Sequence, residues 1–460
     1  KSKNIRNFVF EADVSNFMTD QTDSLKAAYF TLGCKLNFSE TSTIGKILSS
    51  KGITRAAKGE TPDLCIVNTC SVTEMADKKG RRLIRSLATR YPEATIVVTG
   101  CYAQLKPEEV AALPGVDIVL GSNEKLRMAD YIDRWLSDHK KQVEVTPSLS
   151  IKEFRPSCER GDRTRFFLKV QDGCDYFCTY CTIPFARGRS RSGVTSDLVA
   201  MAREAAASGG REIVLTGVNV GEYGKDNGQD LFSLLRALDE VEGIERYRIS
   251  SIEPNLLTEE IIRWIAEESR AFMPHFHIPL QSGSDAVLKL MNRRYDTSLF
   301  ASRVKVIREM IPDAFIGVDI IAGARGETPE EWEKSLAFAD SLDVTRYHVF
   351  PYSERPGTKA LLLGDVVSQE EKHRRVGLLT NLSDRKMDSF MKKHCGTVRP
   401  VLWEQPSGEG MMHGLTDNYL RVEAPLRREL INRVVPVRLV GIHPEEPELM
   451  TGEFDPEIMI

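Results

Sequence analysis

The sequence predicts an α/β protein with three folded parts, and three patterns along the chain support this. Apolar strands alternate with helices over residues 25–140, which predicts a doubly wound parallel sheet. Six further strand–helix repeats within residues 164–393 predict a partial (β/α)6 barrel. Short strands separated by Gly, Pro and Asn within residues 394–460 predict a small all-β barrel.

Three stretches are predicted to lie outside these folded parts. Residues 1–24 show no periodicity and are predicted to form a loose leader. The charged residues 141–163, which also contain Pro and Ser, are predicted to form a linker. Cys158 lies in that linker without a partner at ligand spacing, so no role is assigned to it. Residues 444–460 carry acids and no base, which predicts an acidic tail.

The composition is that of an ordinary globular protein in a reducing compartment. Hydrophobic residues make up 41% of the chain and charged residues 28%, with a net charge of −4. The overall charge therefore gives no sign of nucleic-acid binding. The sequence has no apolar run of membrane-spanning length and no secretory signal at its start. With nine cysteines, an odd number, we expect a cytoplasmic protein without membrane association.

Three cysteines of the N-terminal part each follow a predicted strand. Cys34, Cys70 and Cys101 lie one to three residues past the carboxyl end of their strands. These ends meet at one edge of a parallel sheet, so the three thiols can converge on one metal site. The alternative is that they are loop cysteines without a function. Cys65 differs because it lies inside an apolar strand, where it is predicted to be a small core residue.

Cys174, Cys178 and Cys181 form the most specific motif of the chain, with the spacing C-x3-C-x2-C. Three thiols do not make a disulfide framework, because one of them would remain unpaired. They suit three irons of a 4Fe–4S cluster, whose fourth iron is left open to bind a small molecule. Zinc is the alternative, but a fourth Cys or His ligand at zinc-like spacing is missing nearby.

These motifs together resemble those of the radical S-adenosylmethionine (radical SAM) methylthiotransferases. The segment Cys174–Cys181 resembles the radical SAM signature. Ahead of it, residues 32–37, 67–73 and 99–104 resemble the three segments that hold a second 4Fe–4S cluster in this family. The resemblance covers residues 26–441, and it implies that the C-terminal barrel is an RNA-binding TRAM domain.

The resemblance also implies the cofactors, the partners and the chemistry. Two 4Fe–4S clusters and SAM are the expected cofactors, and tRNA and an electron donor of unknown identity are the expected partners. The C-x3-C-x2-C cysteines would hold the cluster that cleaves SAM to a 5′-deoxyadenosyl radical, which removes hydrogen from adenine C2. The three strand-end cysteines would hold the auxiliary cluster, on which another SAM methylates a sulfur.

Small and polar residues after the predicted barrel strands are candidate SAM contacts. Gly217 and Asn219 follow the second strand, Ser250 and Glu253 the third, and Gln281 the fourth. Reactive groups of such barrels lie at these strand ends, and glycine lets the backbone approach a ligand closely. Each signal is weak alone, and their order along the chain resembles the family. Within the cysteine motif, Tyr180 is a further candidate contact.

Two segments resemble the branch of the family that acts on N6-threonylcarbamoyladenosine at position 37 of tRNA. The first is Gly33-Cys34-Lys35-Leu36-Asn37, where the isopentenyladenosine branch usually has Gly-Cys-Gln-Met-Asn. The second begins at Thr182 and contains Arg187, Arg189 and Arg191. These three guanidinium groups are predicted to bind the substrate carboxylate or phosphate, and a solvated basic loop is the alternative.

Other functions remain open at this point. The same chemistry could act on isopentenyladenosine in tRNA or on an aspartate of a ribosomal protein. A protein of another class, carrying two clusters for electron transfer or binding RNA without catalysis, is disfavoured. Pure electron carriers normally have closed cluster ligation, whereas this chain offers three ligands per cluster.

Overall fold

The computed structural model describes residues 24–161, 164–406 and 410–454, and the chain divides into two units. The first unit is the chain up to Glu153 together with Cys181–Arg189. The second unit is Phe154–Tyr180 together with the chain from Ser190 onwards. No helix in the described ranges combines the length and the hydropathy that a membrane crossing requires.

Six parallel strands form the sheet of the first unit, in the order β2-β1-β3-β4-β5-β6. The strands are β1 (Lys26–Thr31), β2 (Thr54–Arg55), β3 (Leu64–Thr69), β4 (Thr95–Gly100), β5 (Val116–Leu120) and β6 (Gln142–Glu144). The helices are α1 (Lys35–Ser50), α2 (Glu74–Arg90), α3 (Cys101–Leu105), α4 (Pro107–Ala111), α5 (Met128–Asp138) and α6 (Ile183–Arg187).

Successive residues of the central strands pack into two different hydrophobic cores. In β3, Cys65 and Val67 belong to one core, whereas Leu64 and Ile66 belong to the other. Side chains of a strand alternate between the two faces of its sheet, so both faces of this sheet are buried. The predicted doubly wound parallel sheet is therefore confirmed, and so is the place of Cys65 in the core.

The second unit contains the six parallel strands predicted for the barrel, together with short additional strands. Ahead of the C-terminal barrel, its strands are β7 (Ser157–Glu159), β8 (Phe166–Lys169), β9 (Gln171–Asp172), β10 (Arg191–Ser192), β11 (Glu212–Thr216), β12 (Arg246–Ile249), β13 (His275–Gln281), β14 (Phe315–Ala322) and β15 (Arg346–Pro351). They form the sheets β12-β11-β8-β7, β13-β14-β15 and β10-β9. An isolated bridge between Ser251 and His277 links β13 to the residues that follow β12.

Seven helices follow strands of the second unit among its described residues. They are α7 (Thr195–Ala207), α8 (Leu231–Asp239), α9 (Glu259–Glu267), α10 (Asp285–Leu290), α11 (Thr297–Met310), α12 (Pro329–Ser341) and α13 (Gln369–His394). One hydrophobic core joins all of them except α10 to the strands, with Leu168, Ile213, Ile278 and Val318 among its fully buried residues. Val287 of α10 belongs to a smaller cluster. The long helix α13 begins at the N-cap Ser368, whose hydroxyl accepts a hydrogen bond from the Glu371 amide.

The predicted linker is more ordered than its composition indicated. Its first residues form β6, which extends the sheet of the first unit. Further on, β7 pairs antiparallel with β8, and Cys158 packs into the hydrophobic core of the second unit. Both strands are only three residues long and lie at sheet edges, so neither leaves a clear hydrophobic period in the sequence.

Five strands close the C-terminal barrel in the order β16-β17-β18-β20-β19. They are β16 (Val398–Trp403), β17 (Met411–Thr416), β18 (Arg421–Pro425), β19 (Val434–Ile442) and β20 (Met450–Glu453). The barrel is confirmed, but β20 falls within the predicted acidic tail. Met450 is buried, and a side chain at Gly452 would lie 2.7 Å from Val422 and Val437, so these two positions face the interior. Residues 1–23 of the predicted leader and the last six residues of the tail lie outside the described ranges.

Two buried arginines of β12 attach the C-terminal barrel to the strands of the same unit. Arg246 donates to the carbonyl oxygens of Leu415 and Pro400, and Arg248 donates to those of Thr416 and Asp417, at 2.7–2.8 Å. Glu212 lies beneath them and accepts from Arg248 at 2.9 Å. Burial acts to raise the pKa of Glu212, but the neighbouring guanidinium groups outweigh it and lower that pKa. Glu212 is therefore ionised, and its negative charge compensates part of the positive charge of the two buried arginines.

Candidate active site

Cys34, Cys70 and Cys101 lie at one edge of the first-unit sheet. Cys34 follows β1 as the N-cap of α1, Cys70 follows β3 directly, and Cys101 is the first residue of α3 after β4. Because β1, β3 and β4 are parallel neighbours, their carboxyl ends lie side by side. The sheet therefore brings together three thiols that are 36 and 31 residues apart in the sequence.

Two glycines with positive φ make this edge narrow enough for the thiols to approach one another. Gly33 has φ +101°, and a Cβ there would lie 2.6 Å from the Cβ and 2.9 Å from the Sγ of Cys70. Gly100 has φ +94°, and a Cβ there would meet the carbonyl oxygen of Thr69 at 2.3 Å. Any larger residue would push the strand ends apart, so both positions require glycine.

The thiols of this edge act electrostatically on one another. Burial raises the pKa of Cys70 to about 12, and negative charge on Cys101 or Cys34 raises it further. Burial also raises the pKa of Cys101, while the guanidinium of Arg187 acts in the opposite direction. Thiols that disfavour ionisation in this way need a cation to become thiolates, which is what an iron cluster supplies. The donor set therefore fits a cluster held by three cysteines.

The C-x3-C-x2-C loop is held in a tight conformation by the segment after α10. Phe177, between the first two cysteines, has φ +48°, which is uncommon for a residue other than glycine. The side-chain amide of Asn292 donates to the carbonyl oxygen of Tyr176 at 3.2 Å, and the amide of Thr179 donates to that of Met291 at 3.1 Å. These bonds fix the backbone from which Cys174 and Cys178 project.

Arg293 was not identified from the sequence, yet it contacts a thiol of the motif. Its Nη1 lies 3.1 Å from the Sγ of Cys178, and its other terminal nitrogen forms an ion pair with Glu253. Burial raises the pKa of Cys178, and the positive charge of Arg293 opposes that rise. The signal available in the sequence was the basic pair Arg293-Arg294. Glu253, a predicted SAM contact, is held by this ion pair.

The remaining predicted SAM contacts include polar groups without partners. Asn219 is 4% exposed, and within the described residues neither end of its amide has a hydrogen-bond partner; the same holds for Oγ of Ser250. Buried polar groups are normally paired, so these atoms fit a polar ligand. Beside them, a Cβ at Gly217 would lie 2.9 Å from Oε1 of Gln171, which accepts a hydrogen bond from the backbone N–H of Asn219.

Two other predicted contacts show distinct local features. Gln281 has φ +65° at the end of β13, where the pairing with β14 changes register. A non-glycine residue in this conformation is strained, and such strain concentrates at ligand-binding sites. Tyr180 is partly buried and packs against a small cluster that includes Met291 and Tyr352. Both residues lie in the second unit, with Asn219 and Ser250.

The three predicted substrate-binding arginines are placed very differently. Arg187 is 2% exposed and donates to both carboxylate oxygens of Glu40, at 3.0 and 3.2 Å, and to Oδ1 of Asn37 at 2.6 Å. Arg191 is buried, with Asp172 at 3.4 Å, whereas Arg189 is exposed. The prediction that Arg187 binds substrate is therefore at odds with the structure, because its donors are directed at buried groups of its own unit.

Replacing Arg187 by Ala is expected to lower the free energy of unfolding by roughly 3–5 kcal/mol, since it breaks a buried ion pair. Glu40 would lose this guanidinium and keep Lys125, which lies 2.6 Å away. Denaturant unfolding of the iron-free protein, followed by circular dichroism, measures the loss. The matched control is Arg189→Ala, an exposed neighbour expected to change stability by less than about 0.5 kcal/mol. An Arg187→Ala protein with wild-type stability and weakened tRNA binding would contradict the buried assignment.

Comparison with known families gives two matches along the chain. Residues 26–121 match the family described as "Uncharacterized protein family UPF0004", and residues 168–339 match the radical SAM superfamily. The first match covers the strand-end thiols, and the second covers the C-x3-C-x2-C motif together with the strands β11–β14.

Curated relatives match nearly the whole chain. A threonylcarbamoyladenosine tRNA methylthiotransferase of Bacillus subtilis is 38% identical, covering 90% of this chain and 93% of its own. The protein of the same name from Thermotoga maritima is 39% identical, covering 85% of this chain and 90% of its own. A tRNA-2-methylthio-N(6)-dimethylallyladenosine synthase of Clostridium tetani is 33% identical, covering 90% of this chain and 94% of its own.

Among solved structures, the fold is similar to that of the radical S-adenosylmethionine methyltransferase TsrM from Kitasatospora setae, determined with cobalamin and a [4Fe-4S] cluster bound. The TM-score is 0.55 at 13% sequence identity, covering 85% of this chain and 77% of the other. At this identity the similarity concerns the fold alone.

Proposed function

Because this chain belongs to the radical SAM methylthiotransferase family, we propose that it converts N6-threonylcarbamoyladenosine at position 37 of tRNA to its 2-methylthio derivative. The choice of this substrate rests on sequence identity to relatives that are named for it. Five proteins named for threonylcarbamoyladenosine are 34% to 39% identical over 85% to 92% of this chain. The sequence Gly33-Cys34-Lys35-Leu36-Asn37 agrees with that choice.

The cofactors are SAM and 4Fe–4S clusters. Cys174, Cys178 and Cys181 would hold one cluster, whose open iron is free to bind SAM. The three strand-end thiols of the first unit would hold a second, auxiliary cluster. When bound, these groups supply one-electron cleavage of SAM and a sulfur atom for transfer, and the protein supplies their placement.

The chain's own residues bind and orient these groups. Arg293 directs a positive charge at the Cys178 sulfur, which stabilises a thiolate ligand there. Asn219 and Ser250 offer unsatisfied polar atoms to SAM in the second unit. Arg187 holds Asn37, whose Oδ1 lies 3.9 Å from Sγ of Cys34, and thereby orients a ligand of the auxiliary cluster.

The C-terminal barrel is proposed to contact the tRNA as a TRAM-like domain. Its exposed arginines include Arg421 and Arg438, and side chains of this kind bind phosphate. The junction formed by Arg246 and Arg248 gives this barrel many hydrogen bonds to the strands of its unit. We therefore expect it to hold bound tRNA in a defined orientation relative to those strands.

A methylthiotransferase acting on isopentenyladenosine is the second candidate. Three relatives named for dimethylallyladenosine are 33% to 34% identical over 83% to 90% of this chain. The two substrates differ at N6, where one carries a carboxylate and a hydroxyl and the other only hydrocarbon. A pocket that pairs the carboxylate rejects the hydrocarbon strongly, because its own polar groups would be left unpaired.

Purified protein with both clusters reconstituted is expected to methylthiolate tRNA that bears threonylcarbamoyladenosine and to leave isopentenyladenosine tRNA unchanged. Anaerobic reactions with SAM and a chemical reductant, followed by nucleoside mass spectrometry, measure both activities side by side. Unmodified tRNA of the same sequence is the control. Efficient turnover of isopentenyladenosine tRNA would overturn the choice of substrate while leaving the enzyme class intact.

A further inference from the structure

His277, Asp319 and His348 form a polar cluster on three adjacent strands of the second unit. They lie on β13, β14 and β15, and the potential ligand atoms of the three side chains are all within 4.8 Å of one another. Nε2 of His277 lies 2.8 Å from Oδ1 of Asp319, and the two imidazole rings have centroids 5.1 Å apart. Neither the sequence patterns nor the proposed catalytic steps used these residues.

The cluster faces away from the hydrophobic core. The neighbouring residues Ile278, Val318 and Tyr347 are buried in that core, so the alternate positions project from the opposite face of the strands. The side chains of His277 and Asp319 are 24% and 20% exposed, which makes them accessible to a ligand.

Gly317 leaves space beside the His348 ring. It pairs with His277 in register across β13 and β14, and a Cβ there would lie 3.5 Å from Nε2 of His348. A larger side chain at this position would take up space beside the His348 ring. The cluster is therefore an open polar recess.

One side of the recess is filled by aromatic residues of the same unit. Tyr419, from the C-terminal barrel, packs on His275 with ring centroids 4.2 Å apart, and Arg248 lies over the Tyr419 ring at 4.9 Å. His275 and Phe315 begin their strands, so this filled side is at the amino ends. A ligand then reaches the cluster from the carboxyl ends, where Asn219 and Ser250 also lie and where such barrels carry their reactive groups.

The cluster offers the donors and the acceptor that a threonylcarbamoyl group needs. Imidazole N–H groups can donate to a carboxylate, and the Asp319 carboxylate can accept from a hydroxyl or a ureido N–H. A hydrocarbon substituent would exclude water from these groups without offering them a hydrogen bond in return, which is costly. Two of the arginines considered for this role, Arg187 and Arg191, lie beside the buried carboxylates of Glu40 and Asp172.

We propose that His277, Asp319 and His348 form the subsite that receives the threonylcarbamoyl group, with His348 donating to its carboxylate. Asp319 orients the His277 ring through their hydrogen bond and accepts from the polar hydrogens of the substrate. This inference rests on the proposed function and assigns its substrate selectivity to the second unit.

The test compares two substrates in the reconstituted holoenzyme: tRNA bearing threonylcarbamoyladenosine, and the same tRNA with that carboxylate converted to its methyl ester. Wild type is expected to prefer the acid in kcat/KM. His348→Ala is expected to reduce the acid-to-ester preference by at least about tenfold, the effect of one lost hydrogen bond to a charged group. Its iron content and its SAM cleavage without tRNA should equal those of wild type. The matched control is His373→Ala, which removes an exposed histidine of α13 and should leave the preference unchanged.

The possible outcomes separate the subsite from the proposed function. If His348→Ala lowers turnover of the acid and the ester equally, the residue has only a structural effect and the subsite is overturned. A stoichiometric metal other than iron in wild type that is lost from His348→Ala would also overturn it, in favour of a metal site. If wild type does not modify threonylcarbamoyladenosine tRNA at all, both the proposed function and the subsite fail. If wild type modifies that tRNA and His348→Ala keeps the wild-type acid-to-ester preference, the subsite is overturned and the proposed function stands.

Discussion

Replacing Cys174, Cys178 and Cys181 together by Ala is expected to abolish SAM cleavage and to lower the iron content from about eight to about four per chain. The three thiolates are the ligands proposed for the cluster whose open iron binds SAM, so that cluster is lost and the auxiliary cluster remains. Anaerobic reconstitution, iron analysis and quantification of 5′-deoxyadenosine after chemical reduction measure both effects.

The matched control for this triple variant is Cys395→Ala. Cys395 is an exposed cysteine that follows α13, and no cluster is assigned to it. It is expected to keep the wild-type iron content and SAM cleavage. Continued formation of 5′-deoxyadenosine by the triple variant would show that the motif has been assigned incorrectly.

Replacing Cys34, Cys70 or Cys101 singly by Ala is expected to stop methylthio transfer while SAM cleavage continues. Each substitution removes one of the ligands proposed for the auxiliary cluster, which would hold the sulfur for transfer, and leaves the C-x3-C-x2-C motif unchanged. Reactions with tRNA, in which 5′-deoxyadenosine and the methylthiolated nucleoside are quantified together, separate the two steps.

Cys65→Ala is the control for the strand-end thiols. Cys65 is a fully buried core residue of β3, in the same unit as the other three, and its loss should cost only about 1 kcal/mol of packing. Transfer by Cys65→Ala should therefore match that of wild type. If Cys65→Ala lost methylthio transfer to the same extent as Cys70→Ala, the assignment of Cys65 to the core and of the other three thiols to the cluster would be contradicted.

Much of the fold was predictable because parallel strands leave strong local signals. Buried strands such as β3 and β4 contain continuous apolar runs bounded by glycine or polar residues, and their helices have a clear hydrophobic period. Once the strands were placed, the topology put Cys34, Cys70 and Cys101 at one edge. The order of the strands was therefore sufficient to predict the position of these thiols, and no contact between particular residues had to be predicted.

The features that the sequence did not predict are pairings between distant residues. Arg187 and Glu40 are 147 residues apart, so a basic loop and a buried ion pair look alike in the sequence. Similarly, β20 has four residues, and its two interior positions are a methionine and a glycine within an acidic stretch. Arg293 contacts Cys178 across 115 residues. Each of these contacts depends on how distant segments pack in the folded chain, and the local sequence pattern does not indicate it.

Nucleoside mass spectrometry of tRNA from cells that lack this protein tests the proposed function most directly. The account predicts that 2-methylthio-N6-threonylcarbamoyladenosine disappears and that its precursor accumulates, whereas 2-methylthio-isopentenyladenosine stays at its wild-type level. Reintroducing the wild-type gene should restore the product, and the triple variant of Cys174, Cys178 and Cys181 should not. An unchanged level of the threonylcarbamoyl product, or loss of the isopentenyl product in its place, would contradict the assignment.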